Sequence, residues 1–245
     1  MTALQILVLL CLTAFTLDYW WGYVLLILSV LLLVLFVQIS INRVISSRLM
    51  KACDPEACAE YYREMIGIKK RSIMASGEVL GLVNADILSG NLDEAEEYLR
   101  KLSNVVSKLS PYEAMLLDFE KLSYEMTRGD LAEGQEQYEW AKWWYSVKRL
   151  SLMQKQYLKQ IGLVMKVYEA RFSGDREQLR KVLSNLPDNE MFIRIQKSYL
   201  LGCIEEEDDN LQKAREFFKD VAENGGTTRI AKMSREKTGL PSEAE

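Results

Sequence analysis

The amino-acid sequence predicts an all-α protein, in which an N-terminal transmembrane helical hairpin precedes a body of stacked helix pairs, an α-α solenoid. Three observations lead to this prediction. Residues 1–41 hold one charged side chain, Asp18, whereas all 31 basic and 34 of the 35 acidic residues come later. No long segment of the later part alternates with the period of two expected of a half-buried strand. A turn dipeptide recurs in that part at intervals of 35 to 45 residues.

The predicted membrane anchor, residues 1–41, contains two uncharged stretches, 3–17 and 19–41. As helices they would span ~22 Å and ~35 Å, against ~30 Å for the hydrocarbon core of a bilayer. Asp18 and the aromatic residues that follow it are typical of a turn at the headgroup level. We therefore predict two transmembrane helices. The alternative is one span over 19–41, with residues 1–17 lying in or along the bilayer.

A short basic linker, residues 42–52, follows the anchor. It holds Arg43, Arg48 and Lys51 and no acidic residue. Because positively charged loops stay on the cytoplasmic side of a membrane, the linker predicts a cell-membrane protein whose body faces the cytoplasm. Cys53 and Cys58 lack the spacing of a redox or zinc motif, so we expect free thiols, as in a reducing compartment.

The body, residues 53–240, carries four turn dipeptides, namely Gly90-Asn91, Gly129-Asp130, Gly174-Asp175 and Asp209-Asn210. Five, nine and twelve positions after each first residue come a mostly small, then a large, then an apolar residue. These are Ala95, Leu99 and Leu102; Gly134, Tyr138 and Ala141; Leu179, Leu183 and Leu186; and Ala214, Phe218 and Val221. Offsets of four and three place such residues on one helical face, which we expect a neighbouring helix to approach closely.

Helix boundaries follow from local signals. Asp54 and Ser110 each precede a proline and read as N-caps. The predicted helices are 55–66, 71–89, 92–108, 111–128, 131–149, 151–173, 176–185, 189–207 and 210–223. We expect a closing helix near 227–237 to act as a polar cap, as repeat arrays need. Residues 241–245 are predicted to be a frayed tail.

This pattern resembles tetratricopeptide repeats, in which a helix A, a Gly-Asp/Asn turn and a helix B recur. The segments GNLDEAEEYLRKL (90–102) and DNLQKAREFF (209–218) carry the resemblance, which covers roughly residues 53–224. A degenerate repeat of the broader α-α solenoid type fits the same residues. The resemblance implies a concave groove that binds a peptide and is lined by helix A side chains, here Asn84, Tyr168, Arg171 and Tyr199.

The sequence offers no catalytic constellation and no site for a metal or cofactor. It contains no histidine, which excludes imidazole-based catalysis. Its glycines match neither the P-loop nor the dinucleotide-binding pattern. The acidic clusters at 93–97 and 205–209 are predicted to be solvated surface. We therefore expect a protein that is not an enzyme.

The charge pattern and one aromatic cluster indicate contact surfaces. Residues 140–203 hold 12 basic and 5 acidic residues, whereas 72–139 hold 5 and 14. Trp140, Trp143 and Trp144 share one side of a predicted helix, and Tyr138, Ala141 and Tyr145 share another. This cluster is interpreted as core, as a protein contact or as a membrane-docking surface. We select Trp143 and Trp144 as candidate partner-binding residues.

These observations predict a membrane-anchored scaffold that recruits a protein or peptide partner. Nucleic acid is not expected as a partner, since the body is net acidic and has no nucleic-acid motif. The alternative is a structural subunit that assembles into a larger membrane complex through its transmembrane helices. Small and polar residues in the first stretch, Cys11, Thr13, Ala14 and Thr16, would suit such contacts.

Overall fold

The computed structural model describes residues 21–69 and 76–241, which form helices joined by turns and contain no strand. The all-α prediction is therefore confirmed for this part of the chain. The chain divides into two units, Met1–Ser47 and Arg48–Glu245.

The first described element is a long helix, α1 (Trp21–Ala52), which includes the predicted basic linker as its last turns. No helix within 21–69 or 76–241 combines the length and the apolar character that a membrane crossing requires. The structure therefore does not support the predicted transmembrane hairpin. Its first stretch, residues 3–17, and the turn at Asp18 lie outside the described residues.

The second unit contains eleven described helices. They are α2 (Pro55–Lys69), α3 (Ser76–Ser89), α4 (Leu92–Ser103), α5 (Pro111–Arg128), α6 (Leu131–Val147), α7 (Leu152–Gln160), α8 (Gly162–Ser173), α9 (Arg176–Ser184), α10 (Met191–Glu207), α11 (Leu211–Asn224) and α12 (Arg229–Thr238). A short 3₁₀ turn, Val106–Lys108, follows α4, where the sequence predicted that the α-helix continues.

The four predicted turns are confirmed. Gly90, Gly129 and Gly174 have φ values of +94°, +91° and +67°, and Asp209 has +59°. This left-handed conformation reverses the chain after a helix, and glycine adopts it without the steric penalty that a Cβ brings. Asp130 and Asp175 then cap the next helix, since their carboxylates accept hydrogen bonds from the backbone N–H groups of Glu133 and Gln178.

The predicted helix B faces are also confirmed. Of the residues five, nine and twelve positions after each turn, all but the half-buried Leu186 are buried. Consecutive helices pack as pairs across these faces, α3 with α4, α5 with α6, α8 with α9, and α10 with α11. The contacts continue between pairs, because α5 also packs on α3 and α4. Burial of these apolar faces holds the unit together.

Two further local predictions are wrong. The predicted helix 151–173 is two helices, α7 and α8, which meet at Ile161 with Gly162 as the first residue of α8. Glu205 is not solvated, since only 2% of it is exposed. Its carboxylate pairs with Arg180 at 3.0 Å and with Lys213 at 2.9 Å. A carboxylate can be buried there because two cations compensate for its lost hydration.

The two ends of the second unit meet. The Thr227 backbone N–H donates to the Cys53 carbonyl at 3.1 Å, and the Lys232 ammonium donates to the Ser89 carbonyl at 3.1 Å. Ala231, Ser234 and Arg235 of α12 are buried. The predicted closing helix therefore exists, but it packs against distant parts of its own unit as well as covering α11.

Candidate interaction surfaces

The residues predicted to line a groove lie on α3, α8 and α10, and the structure adds α5 between them. Asn84 of α3 donates two hydrogen bonds to the Glu120 carboxylate of α5, with nitrogen–oxygen distances of 3.1 and 3.2 Å. Burial raises the pKa of Glu120 to about 7, although the hydrogen bonds from Asn84 act in the opposite direction. The side-chain amide of Asn84 is therefore already hydrogen-bonded within the unit.

Tyr168 of α8 faces the same region. Its hydroxyl lies 3.3 Å from the hydroxyl of Ser123 on α5. Burial raises the pKa of Tyr168, and the charge of Glu120 acts in the same direction, so the phenol stays protonated. Burial raises the pKa of Tyr157 on α7, and the charge of Glu120 adds a smaller increase. Asn84 thus contacts Glu120 directly, whereas Tyr157 and Tyr168 are near enough for the charge of Glu120 to act on them.

Arg171 lies one turn further along α8 and is half-buried. Its charge lowers the pKa values of Tyr168, Tyr199 and Cys203 against the larger effect of burial, which places the guanidinium near all three side chains. Burial raises the pKa of Tyr199 to about 12. Arg171 forms no ion pair with any residue in 21–69 or 76–241. It is thus a partly desolvated cation that a carboxylate or phosphate could neutralise.

Sequence reasoning missed Glu120, Ser123 and Arg229 in this region. Ser123 stands six residues before Gly129, the same offset that separates Asn84 from Gly90 and Tyr168 from Gly174. That signal could have identified Ser123. Arg229 follows no repeat offset, and only the three-dimensional contact of its guanidinium with the Thr127 carbonyl reveals its place.

The aromatic cluster of α6 has one buried face and one exposed face. Tyr138, Ala141 and Tyr145 are buried, and the Tyr145 hydroxyl donates to Asp118 at 2.6 Å. On the other face, 46% of Trp140 and 59% of Trp143 are exposed. Trp144 is half-buried between them and stacks on Trp140 with ring centroids 6.0 Å apart. The cluster is thus core on one face of α6 and surface on the other.

Trp143 and Trp144 lie on α6, whereas the four predicted groove residues lie on α3, α8 and α10. The two tryptophans touch one another through their rings, at a centroid distance of 6.0 Å. Trp144 and Tyr168 nevertheless pack against the same cluster of buried residues. The candidate partner-binding residues therefore fall into two groups, one around Arg171 and one along α6.

The residues present do not assemble a metal centre in the described parts of the chain, where no group of three or more histidine, cysteine or carboxylate side chains could hold an ion. Burial raises the pKa of the Cys53 thiol to about 11, so this cysteine is a poor ligand and nucleophile.

No family model matches this chain, and no curated protein and no solved structure is significantly similar to it. The resemblance to tetratricopeptide repeats stays a prediction that depends on the residues quoted for it.

Proposed function

We propose that this chain is a membrane-anchored scaffold whose helical body, a tetratricopeptide-like solenoid, recruits a protein partner at the cytoplasmic face of a cell membrane. One observation carries the proposal, namely the half-buried Arg171, whose charge acts on Tyr168 and Tyr199 and which has no ion-pair partner among the described residues. A partly buried cation without an ion pair suits an anionic side chain or terminus of a partner peptide.

The anchor contributes to this function by raising the local concentration of the body at the membrane. Residues 1–41 hold one charge, and the next charged residues are basic. A tether at the membrane raises the local concentration of the body near other membrane proteins, so that modest contacts suffice for recruitment. A reporter enzyme fused to the C-terminus tests the orientation. We expect activity from a reporter that works only in the cytoplasm. Activity from an extracytoplasmic reporter alone would contradict the proposed orientation.

The partner site is tested by Arg171→Gln in the full-length chain, with capture of crosslinked partners from native membranes. A charge-assisted hydrogen bond contributes about 1.5–3 kcal/mol, so we expect partner recovery to fall roughly 10- to 100-fold. The matched control is Arg215→Gln, which removes an exposed arginine from α11. Equal recovery by both variants would contradict a partner site at Arg171.

A deletion separates this proposal from the structural-subunit alternative. A chain that lacks residues 1–41 should still crosslink to the partner in solution if the body carries the contact. Loss of the partner together with the anchor would favour assembly through the N-terminal segment.

A further inference from the structure

The surface around α6, α7 and the start of α8 is apolar and exposed. Twelve large hydrophobic side chains are exposed in the described part of the second unit, and seven of them lie in residues 140–164. We name these seven the apolar surface, and they are Trp140, Trp143, Val147, Leu152, Met153, Leu163 and Val164. Their helices pack around one cluster, which includes Tyr138, Tyr157 and Met165. Such a concentration of exposed apolar side chains marks a contact surface.

The same segment has an unusual set of charges. Residues 140–166 contain six cations and no acidic residue. Lys142 pairs with Glu169 at 2.8 Å. The other five are exposed and form no ion pair with the described residues, namely Lys148, Arg149, Lys155, Lys159 and Lys166. Several cations elsewhere in the unit are paired with carboxylates, such as Arg176, Arg180 and Lys232.

We propose that this surface docks onto an anionic lipid bilayer. Tryptophan prefers the headgroup level of a membrane, where its ring is buried and its N–H stays hydrated. Lysine and arginine beside tryptophan and leucine are typical of surfaces that lie on anionic membranes. Protein–protein interfaces, by contrast, are depleted in lysine. Four of the five unpaired cations are lysines, so the composition favours a lipid surface over a protein.

The docking would work through two additive contacts. The exposed tips of Leu152 and Met153, 72% and 59% exposed, can enter the apolar boundary of the bilayer. The unpaired ammonium groups can lie against lipid phosphates, since their stems are long enough to reach outward. This docking does not depend on the anchor in residues 1–41 or on a partner at Arg171.

The tryptophans provide a specific readout. The chain has five, of which Trp20 and Trp21 lie near the N-terminus. In a full-length Trp20→Phe, Trp21→Phe background, fluorescence therefore reports only on Trp140, Trp143 and Trp144. This protein is mixed with vesicles of phosphatidylcholine alone or with phosphatidylglycerol added, in which a fraction of the acyl chains is brominated to quench tryptophan.

We expect a blue shift and quenching with the phosphatidylglycerol vesicles, both reversed by high salt. Lys155→Gln with Lys159→Gln should weaken binding about fivefold for each cation removed. The control pair, Arg100→Gln with Arg215→Gln, changes net charge equally at exposed sites on α4 and α11 and should bind as the background does.

Three results would overturn the proposal. They are the absence of quenching with phosphatidylglycerol, equal quenching with both vesicle types, and equal weakening by the two variant pairs. Protection of these tryptophans by a crosslinked protein in native membranes, without lipid quenching, would assign the surface to a protein instead.

Discussion

At the scale of single residues, Glu120 shows how burial changes a carboxylate. Its pKa rises to about 7 because burial disfavours the charged form, and Asn84 offsets only part of this effect. In the unfolded chain the Glu120 carboxyl has its ordinary pKa of 4.5, so it keeps its proton to a higher pH in the folded state. The protonated form therefore stabilises the fold fully below pH ~4.5, and this contribution is lost as the pH rises through about 7.

Glu120→Gln should remove this pH dependence. As the pH rises from 4.5 to 7, the native chain should lose stability relative to the variant. The difference between their free energies of unfolding should change by at most about 1.4 kcal/mol per pH unit. Urea unfolding across this range measures both proteins. Glu136→Gln, which removes an exposed carboxylate of α6, is the control for loss of any glutamate. Parallel stability curves for Glu120→Gln and the native chain would disprove the effect of burial.

At the scale of helices, close approach of α10 and α11 requires a residue without a side chain at position 202. A Cβ on Gly202 would lie 2.8 Å from the Phe218 ring. That ring is buried, and it also contacts the Tyr199 ring at a centroid distance of 5.9 Å. The ring therefore has little room to move, and overpacking of this kind costs about 1–3 kcal/mol.

Gly202→Ala should therefore lower the free energy of unfolding, although alanine itself favours a helix by roughly 1 kcal/mol over glycine. Gly67→Ala in α2 is the matched control, because a Cβ there would point into open space with respect to the described residues outside its own stretch of helix. We expect thermal unfolding to show a loss for Gly202→Ala and a small gain for Gly67→Ala. A gain at both positions would show that α10 and α11 can separate at little cost.

The helices also show which features the sequence could predict. The turn at Gly129 and the buried face with Tyr138 depend on residues close in sequence, so local patterns identified them. The burial of Glu205 depends on Arg180, twenty-five residues earlier, and a charged residue near a turn otherwise indicates surface. The break at Gly162 was missed because apolar residues continue on both sides of it.

At the scale of the second unit, order along the chain does not determine all neighbours. The loop before α12 contacts the start of α2, although Thr227 and Asp54 are 173 residues apart. A repeat pattern describes how each helix pair packs on the next, but it does not predict contact between the first and last pairs. The groove residues could therefore be proposed from offsets, whereas the residues that join the two ends could not.

Thr227 is the best residue with which to test this long-range contact. Its hydroxyl donates to the Asp54 carboxylate at 2.9 Å and accepts from the Glu56 backbone N–H at 3.3 Å. Thr227→Val keeps the shape and removes both bonds, which should cost about 1–2 kcal/mol. Amide exchange in the first turn of α2 should become faster, because that turn loses its link to the C-terminal loop.

Thr238→Val is the matched control, since the Thr238 hydroxyl donates to the Ser234 carbonyl within α12 at 2.7 Å. It removes a hydroxyl from the same end of the chain without a bond to α2. Faster exchange in α2 with Thr227→Val alone would show that the end-to-end contact stabilises the first helix of the unit. Unchanged exchange would mean that α2 is held by its packing on α3, and that the contact at Thr227 contributes little.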